Sequence, residues 1–372
     1  MTEIEIVLVV GARPQFIKSA PVIKQILSEH KRIHLSLIHS GQHYDPEMSE
    51  FFFRELDIPS PSLNLQAGSG SHAVQTATIM KRLEAPLLKM KPDLVLVPGD
   101  TNTTLATSLT AVKLCIPVGH IEAGLRSGDM TMPEEINRKL TDHCGTLLFA
   151  PTQTAMSNLR EEGLDRVAHL TGDTMVDALQ TVLPIVQKRE DIVLEKLRLQ
   201  PRDYVLVTLH RPSNVDNRDR LREIQLALSK IASRHTVVFP VHPRTHARLA
   251  RLKNRGSRRR TNTILTSPKG YIETLSLLKN AGCLLTDSGG MQKEAFLLHV
   301  PCVTLRQTTE WPETLVGGAN RLIAKPKTIP GAVHDAASDE TLRRRIKRLR
   351  SRFGDGHASS RIAKIIEKMF GR

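Results

Sequence analysis

Short apolar runs alternate along this chain with longer stretches whose apolar residues recur at helical spacing. In the first half this pattern predicts strands over 4–10, 33–38, 94–98, 118–121 and 147–150. Helices are predicted between them, near 15–30, 72–90, 105–114 and 134–144. Most of the strand runs are continuously apolar, as expected of a parallel sheet covered on both faces. A long helical stretch over 176–199 is then broken by Gln200-Pro201-Arg202-Asp203. A second series follows, with strands over 205–209, 236–241, 264–266, 283–286 and 302–305. Its helices fall at 218–233, 272–279 and 291–298, and two more, 341–352 and 359–370, close the chain. Alternating βα units define an α/β fold of two doubly wound, Rossmann-like domains.

Length agrees with that division, since 372 residues exceed what one ordinary core holds. The expected domains are 1–185 and 200–355, with a terminal helix over about 355–372 packing back on the first. No apolar run approaches the roughly 20 residues of a membrane span, and Met1-Thr2-Glu3-Ile4-Glu5 is acidic where an export signal is basic. These features predict a soluble, cytoplasmic protein with no membrane partner. Cys115, Cys144, Cys283 and Cys302 form no C-x-x-C pair and lie in or beside apolar segments, so buried thiols are expected.

Charge adds one unusual feature, a net +15 drawn largely from 251–260 and 343–352. Such a balance fits nucleic acid or an anionic small substrate steered into a cleft. An aromatic content of 3% argues against base stacking, and no nucleic-acid partner is expected.

Candidate chemistry lies where the predicted strands end, the place where open α/β sheets bind ligands. The first strand runs into Gly11-Ala12-Arg13-Pro14-Gln15-Phe16-Ile17-Lys18. A glycine turn, Pro14 in the first helical turn and two cations there suggest an anion site. Asp100 follows the strand at 94–98, either as a helix cap or as a working carboxylate. Glu122 ends an otherwise apolar strand, a costly place for an acid unless it is paired or used. Glu134 and Glu135 open a helix, where the dipole accounts for one of them. Converging carboxylates suit proton transfer because each raises the other's pKa. In the second half, His210-Arg211 and His242-Pro243-Arg244 follow successive strands. Asp287-Ser288-Gly289-Gly290 leads from strand to helix, and the amides of Ser288, Gly289 and Gly290 are placed to bind phosphate. Neither a dinucleotide fingerprint nor a metal-ligand spacing is present, so neither cofactor nor metal is expected.

Taken in order, GARPQFIK, GDTNTTLA, HIEAGLRS, MPEEINR, TLHRPSN, DSGGMQKEA and TTEWPE resemble the non-hydrolysing UDP-N-acetylglucosamine 2-epimerase family over essentially the whole chain. That resemblance implies a GT-B-type fold, an active site between two domains, a UDP-sugar substrate and a homodimer. It implies a reaction that removes the C2 proton and expels UDP, giving a 2-acetamidoglucal, then adds UDP back with a proton on the opposite face. By motif match it assigns Asp100, Glu122 and Glu134 as acids and bases and His210 to the departing diphosphate. It assigns substrate contacts to Arg13, Lys18, Arg138, His242, Ser288, Gly289 and Gly290, and the ribose to Glu294. Gln15, Lys293, Trp311 and Pro212-Ser213 depart from the usual bacterial pattern. The forms QKEA and TEW resemble a second branch, acting on UDP-2,3-diacetamido-2,3-dideoxyglucuronate.

Overall fold

The computed structural model describes residues 3–42, 53, 55–241, 243–251, 262–349 and 351–371, the side chains of 243, 244, 250 and 251 excepted. The chain forms two compact units, Met1–Thr181 with Ser351–Arg372, and Val182–Arg350.

The first unit is built on a seven-stranded parallel sheet. Its strands are β1 (Ile4–Val10), β2 (Ile33–His39), β3 (Leu63–Asn64), β4 (Leu94–Pro98), β5 (Val118–Ile121), β6 (Leu147–Ala150) and β7 (Ala168–Leu170). They lie in the order β3-β2-β1-β4-β5-β6-β7. Chain order therefore reverses between β1 and β4, which places the turns after those two strands at the switch point. Side chains alternate across the sheet. Val7, Val9, Val95 and Val97 share one face with Ile79, Leu83 and Leu87 of the helix His72–Met90.

The second unit repeats the plan with β8 (Tyr204–Thr208), β9 (Thr236–Pro240), β10 (Thr263–Thr266), β11 (Cys283–Thr286), β12 (Cys302–Thr304) and β13 (Asn320–Leu322). The order is β10-β9-β8-β11-β12-β13, again parallel throughout. Val205 and Val207 pack with Ile224, Leu228 and Val333 on one face. Tyr204 and Leu206 turn to the other, against Leu277 and Leu278.

Three edge strands, β3, β7 and β13, lie outside the predicted set. Each is only two or three residues long, and both residues of β3 are exposed. Such segments become strands only because a neighbour offers a hydrogen-bonding edge, so they carry no apolar run of their own. The final helix, Ala358–Phe370, belongs to the first unit. Asp177 holds its N-terminus by accepting from Ser359 N at 2.8 Å and Ser359 Oγ at 2.6 Å. Near its other end Glu367 meets His30 Nδ1 at 3.0 Å.

Cysteine burial corrects one expectation. Cys283 and Cys302 are buried, but Cys144 is only partly covered and Cys115 is exposed. Cys115 has φ 58° in the turn after the helix Asn102–Lys113, which puts it at the surface despite its apolar neighbours. Burial raises the Cys302 thiol to about 12, so it behaves as a small apolar residue. Of the basic segments, 252–260 lies outside the described residues. In the other, Arg343 is buried and donates to the Gly282 carbonyl, while Arg344, Arg345, Lys347 and Arg348 face solvent. Among the described residues no helix is long and apolar enough to cross a membrane.

Candidate active site

Loops at the carboxyl ends of β1, β4 and β5 pair Lys18 with Glu122 and set Asp100 against Arg138. After β1 the chain turns at Gly11. A Cβ there would lie 2.1 Å from Ser40 Oγ and 2.3 Å from Thr103 Oγ1, so only glycine fits. Arg13, partly buried, is the first residue of the helix Arg13–Glu29. Buried Gln15 organises this turn. Its Oε1 accepts from Gly11 N at 2.8 Å and Ala12 N at 3.1 Å, while its Nε2 donates to Pro98 O at 2.9 Å and Thr104 Oγ1 at 3.0 Å. Those two amides therefore bind within the protein. Lys18, one turn further on, donates its ammonium to Glu122.

Asp100 follows Gly99, which takes φ 68°. The helix Asn102–Lys113 is capped by Thr101, whose side chain accepts from Thr104 N at 3.4 Å. Asp100 is thus relieved of the capping role. Its Oδ2 accepts instead from Arg138 Nη2 at 2.6 Å. Arg138, 1% exposed, also lies 3.2 Å from Glu135. Its charge is directed to carboxylates of its own chain.

Glu122 ends β5 with φ 74°, a left-handed conformation that an L-residue adopts at a cost. Its amide and that of Ala123 both donate to the Phe149 carbonyl at 3.1 Å. Its buried carboxylate meets Lys18, which offsets the cost of desolvation. Of the two glutamates opening the helix Pro133–Cys144, Glu135 is structural. It accepts from Ser127 N and Oγ, both at 2.8 Å, and from Gly128 N at 3.1 Å. Glu134 stays partly exposed in the first turn.

In the second unit, His210 follows β8 and Asp287 follows β11, on adjacent strands. Asp287 is fully buried and gathers the β8 loop. It accepts from His210 N at 3.1 Å, Arg211 N at 3.0 Å and Asn214 Nδ2 at 3.0 Å, and it faces His210 Nδ1 at 3.2 Å. Burial pushes the Asp287 carboxyl up, but hydrogen bonding and charge from His210, with the Asn214 and Arg211 donors, hold it below the usual range. The His210 side chain remains 56% exposed.

Ser288 is the N-cap of the helix Gly289–Leu297. Its own amide donates to Thr286 Oγ1 at 3.0 Å, leaving Gly289 and Gly290 to form the first turn. A Cβ on Gly289 would sit 2.1 Å from Glu310 Oε1, whereas Gly290 faces open space. Glu294 is buried on the same helix. Lys293 and Trp311 are both buried, with the ammonium 3.8 Å from the ring centroid. His242 lies outside the described residues.

Motif reading missed the residues that hold these side chains. Gln15 stood out only as a departure, Asp287 only as part of a glycine-bearing motif, and Asp142 not at all. A helix-face pattern in 133–144 was the available signal, since Glu135, Arg138 and Asp142 recur at three- and four-residue spacing.

Two parallel sheets of Rossmann type, each with its polar residues at strand carboxyl ends, define a GT-B-type protein. The family model described as UDP-N-acetylglucosamine 2-epimerase matches residues 25–367. The chain belongs to the UDP-N-acetylglucosamine 2-epimerase family, which is a family of isomerases. It is 46% identical over 98% of its length to all of a UDP-N-acetylglucosamine 2-epimerase homolog from Methanococcus maripaludis. It is 42% identical, again over 98% of its length, to all of the UDP-2,3-diacetamido-2,3-dideoxy-D-glucuronate 2-epimerase of Pseudomonas aeruginosa. The solved structure of Methanocaldococcus jannaschii UDP-GlcNAc 2-epimerase, in complex with UDP-GlcNAc and UDP, superposes with a TM-score of 0.89 at 41% identity. That match covers 98% of this chain and 99% of the other.

Proposed function

We propose that this protein interconverts UDP-N-acetylglucosamine and UDP-N-acetylmannosamine. The observation that carries the reading is the pair of strand-end carboxylates, Asp100 held by Arg138 and Glu122 held by Lys18. In the forward direction a carboxylate takes the C2 proton as the C1–O bond breaks, and UDP leaves with the bond's electron pair. The product is a 2-acetamidoglucal. In the second half UDP oxygen re-forms the bond to C1, and a carboxylic acid delivers a proton to the other face of C2. Asp100, Glu122 and Glu134 are our candidates for these proton transfers. Asp100 and Glu122 each have a cationic partner, Arg138 and Lys18, and Glu134 is partly exposed in the first turn of its helix.

The diphosphate is assigned to the N-terminus of the helix Gly289–Leu297, where amides and helix dipole favour an anion. His210, partly exposed and anchored by Asp287, is suited to meet the leaving phosphate, with Arg13 as a further cation. Glu294 is assigned to the ribose hydroxyls. Lys293 lies buried against Trp311, so its charge serves the protein interior, which favours the N-acetylglucosamine substrate over the diacetamido-glucuronate. A homodimer is expected on the resemblance alone, and sedimentation measures it.

The test is incubation with UDP-N-acetylglucosamine in D2O, read by NMR. Deuterium at C2 and appearance of the manno epimer are expected. Unlabelled, unchanged substrate refutes the proposal, and faster turnover of UDP-2,3-diacetamido-2,3-dideoxyglucuronate in the same assay transfers it to that sugar.

A further inference from the structure

Behind the two carboxylate loops lies a buried pair that none of the roles above uses. His120 is fully buried in β5, and Asp142 is fully buried on the helix Pro133–Cys144. His120 Nδ1 is 2.6 Å from Asp142 Oδ1, and Nε2 is 2.7 Å from the Gly99 carbonyl oxygen. A carbonyl oxygen only accepts, so Nε2 carries a proton. Burial works to raise the Asp142 carboxyl, but the His120 and Arg126 charges and hydrogen bonds hold it below the usual range. Nδ1 faces the Asp142 carboxyl, so the ring spans from the Gly99 carbonyl to Asp142.

This pair grips both loops. On one side it holds the Gly99 carbonyl, at the left-handed turn that presents Asp100. On the other, Asp142 Oδ2 accepts from Gly124 N at 3.0 Å and Arg126 Nη1 at 2.7 Å. Gly124, φ 81°, closes the turn that Glu122 opens in the left-handed region. Arg126 is anchored in turn by Glu162, 2.7 Å from its Nε. A left-handed conformation is disfavoured for an L-residue, and it persists only where its surroundings over-determine it. The gripped turns also touch, since a Cβ on Gly99 would lie 3.3 Å from Lys18 Nζ and 3.6 Å from Glu122 Oε2.

We propose that His120 and Asp142 are positioning residues for the epimerisation, their buried hydrogen-bonded pair locking the Gly99–Asp100 turn and the Glu122–Gly124 turn in fixed relation. The proposal rests on the epimerase reading above. A pair that only stabilised the fold would leave turnover in the folded variant intact, whereas misplacing a reacting group by about 1 Å costs on the order of 100-fold in rate.

The first measurement needs no substrate. In 15N-histidine spectra of the full chain, assigned with His120→Gln, Nε2 of His120 should carry a proton, held toward the Gly99 carbonyl. A ring without a proton on Nε2 overturns the proposal. The second compares wild type with Asp142→Asn in the D2O assay, alongside UDP affinity by calorimetry. Turnover should fall by about 100-fold while UDP affinity changes by less than about 3-fold. Unchanged turnover, or a parallel loss of affinity and turnover, overturns it. If Asp142→Asn does not fold, His120→Gln, whose amide still donates one hydrogen bond, is read by the same criteria. A wild type that exchanges no C2 proton brings down the epimerase reading and this proposal together. An active wild type with an unaffected variant brings down this proposal alone.

Discussion

Arg138 Nη2 stands 2.6 Å from Asp100 Oδ2, and Nη1 stands 3.2 Å from Glu135 Oε2. One guanidinium thus ties a loop residue after β4 to a structural glutamate on the Pro133–Cys144 helix. Arginine suits the task because its planar fork donates in two directions, which an ammonium cannot reproduce.

Arg138→Lys should keep a charge near Asp100 but lose the fork. We expect turnover to drop by about 10- to 100-fold, with UDP affinity nearly unchanged, in parallel kinetics and calorimetry. Arg138→Met leaves buried Glu135 without its cation. It should destabilise the fold by about 3–5 kcal/mol, read from urea unfolding.

Gln15 uses both ends of its amide, accepting from Gly11 and Ala12 and donating to Pro98 and Thr104. Glutamate has the same shape but no N–H to offer the Pro98 carbonyl. Gln15→Glu should therefore cost about 1–3 kcal/mol and lower the melting temperature by several degrees. An unchanged melting curve would refute the role given to that amide.

Gly289 lets the Glu310 carboxylate approach the first turn of the phosphate-site helix. Glu310 is buried and lies 2.7 Å from Arg306, so it has little room to yield. Gly289→Ala should cost about 1–3 kcal/mol through overpacking, seen as a lower melting temperature and weaker UDP binding.

Acid should act through Asp142 and Asp287, whose folded carboxyls titrate below the usual range. A depressed folded pKa means that the unfolded chain binds protons first. The stabilisation is then fully present above the unfolded value of about 3.9 and is lost as pH falls through the folded one. Urea midpoints should be flat in this respect from neutral pH to about pH 5 and fall below it. Asp287→Asn should make that acid-side slope shallower.

Much of this protein could be read from its residues in order. Ten strands announce themselves as apolar runs because burial on both faces leaves little place for alternation. Asp100, Glu122 and His210 stand out because polar residues end those runs, and Ser288–Gly290 because small residues join a strand to a helix. The short edge strands β3, β7 and β13 were not legible; Leu63–Asn64, for one, is exposed and owes its state to pairing with Ile38 and His39.

What the tertiary structure decided is which acid does what. Sequence left Asp100 open as a cap, and the fold gives the cap to Thr101 and Asp100 to Arg138. It left two adjacent glutamates open, and the fold turns Glu135 inward to the Ser127–Gly128 loop while Glu134 stays partly exposed. The partners concerned lie 38 residues apart for Asp100 and Arg138, 22 for His120 and Asp142, and 104 for Lys18 and Glu122. Apolar periodicity is a local signal, because it records which face of one element is buried. A hydrogen bond between elements is set by strand order and helix rotation, and those exist only once the sheet has assembled.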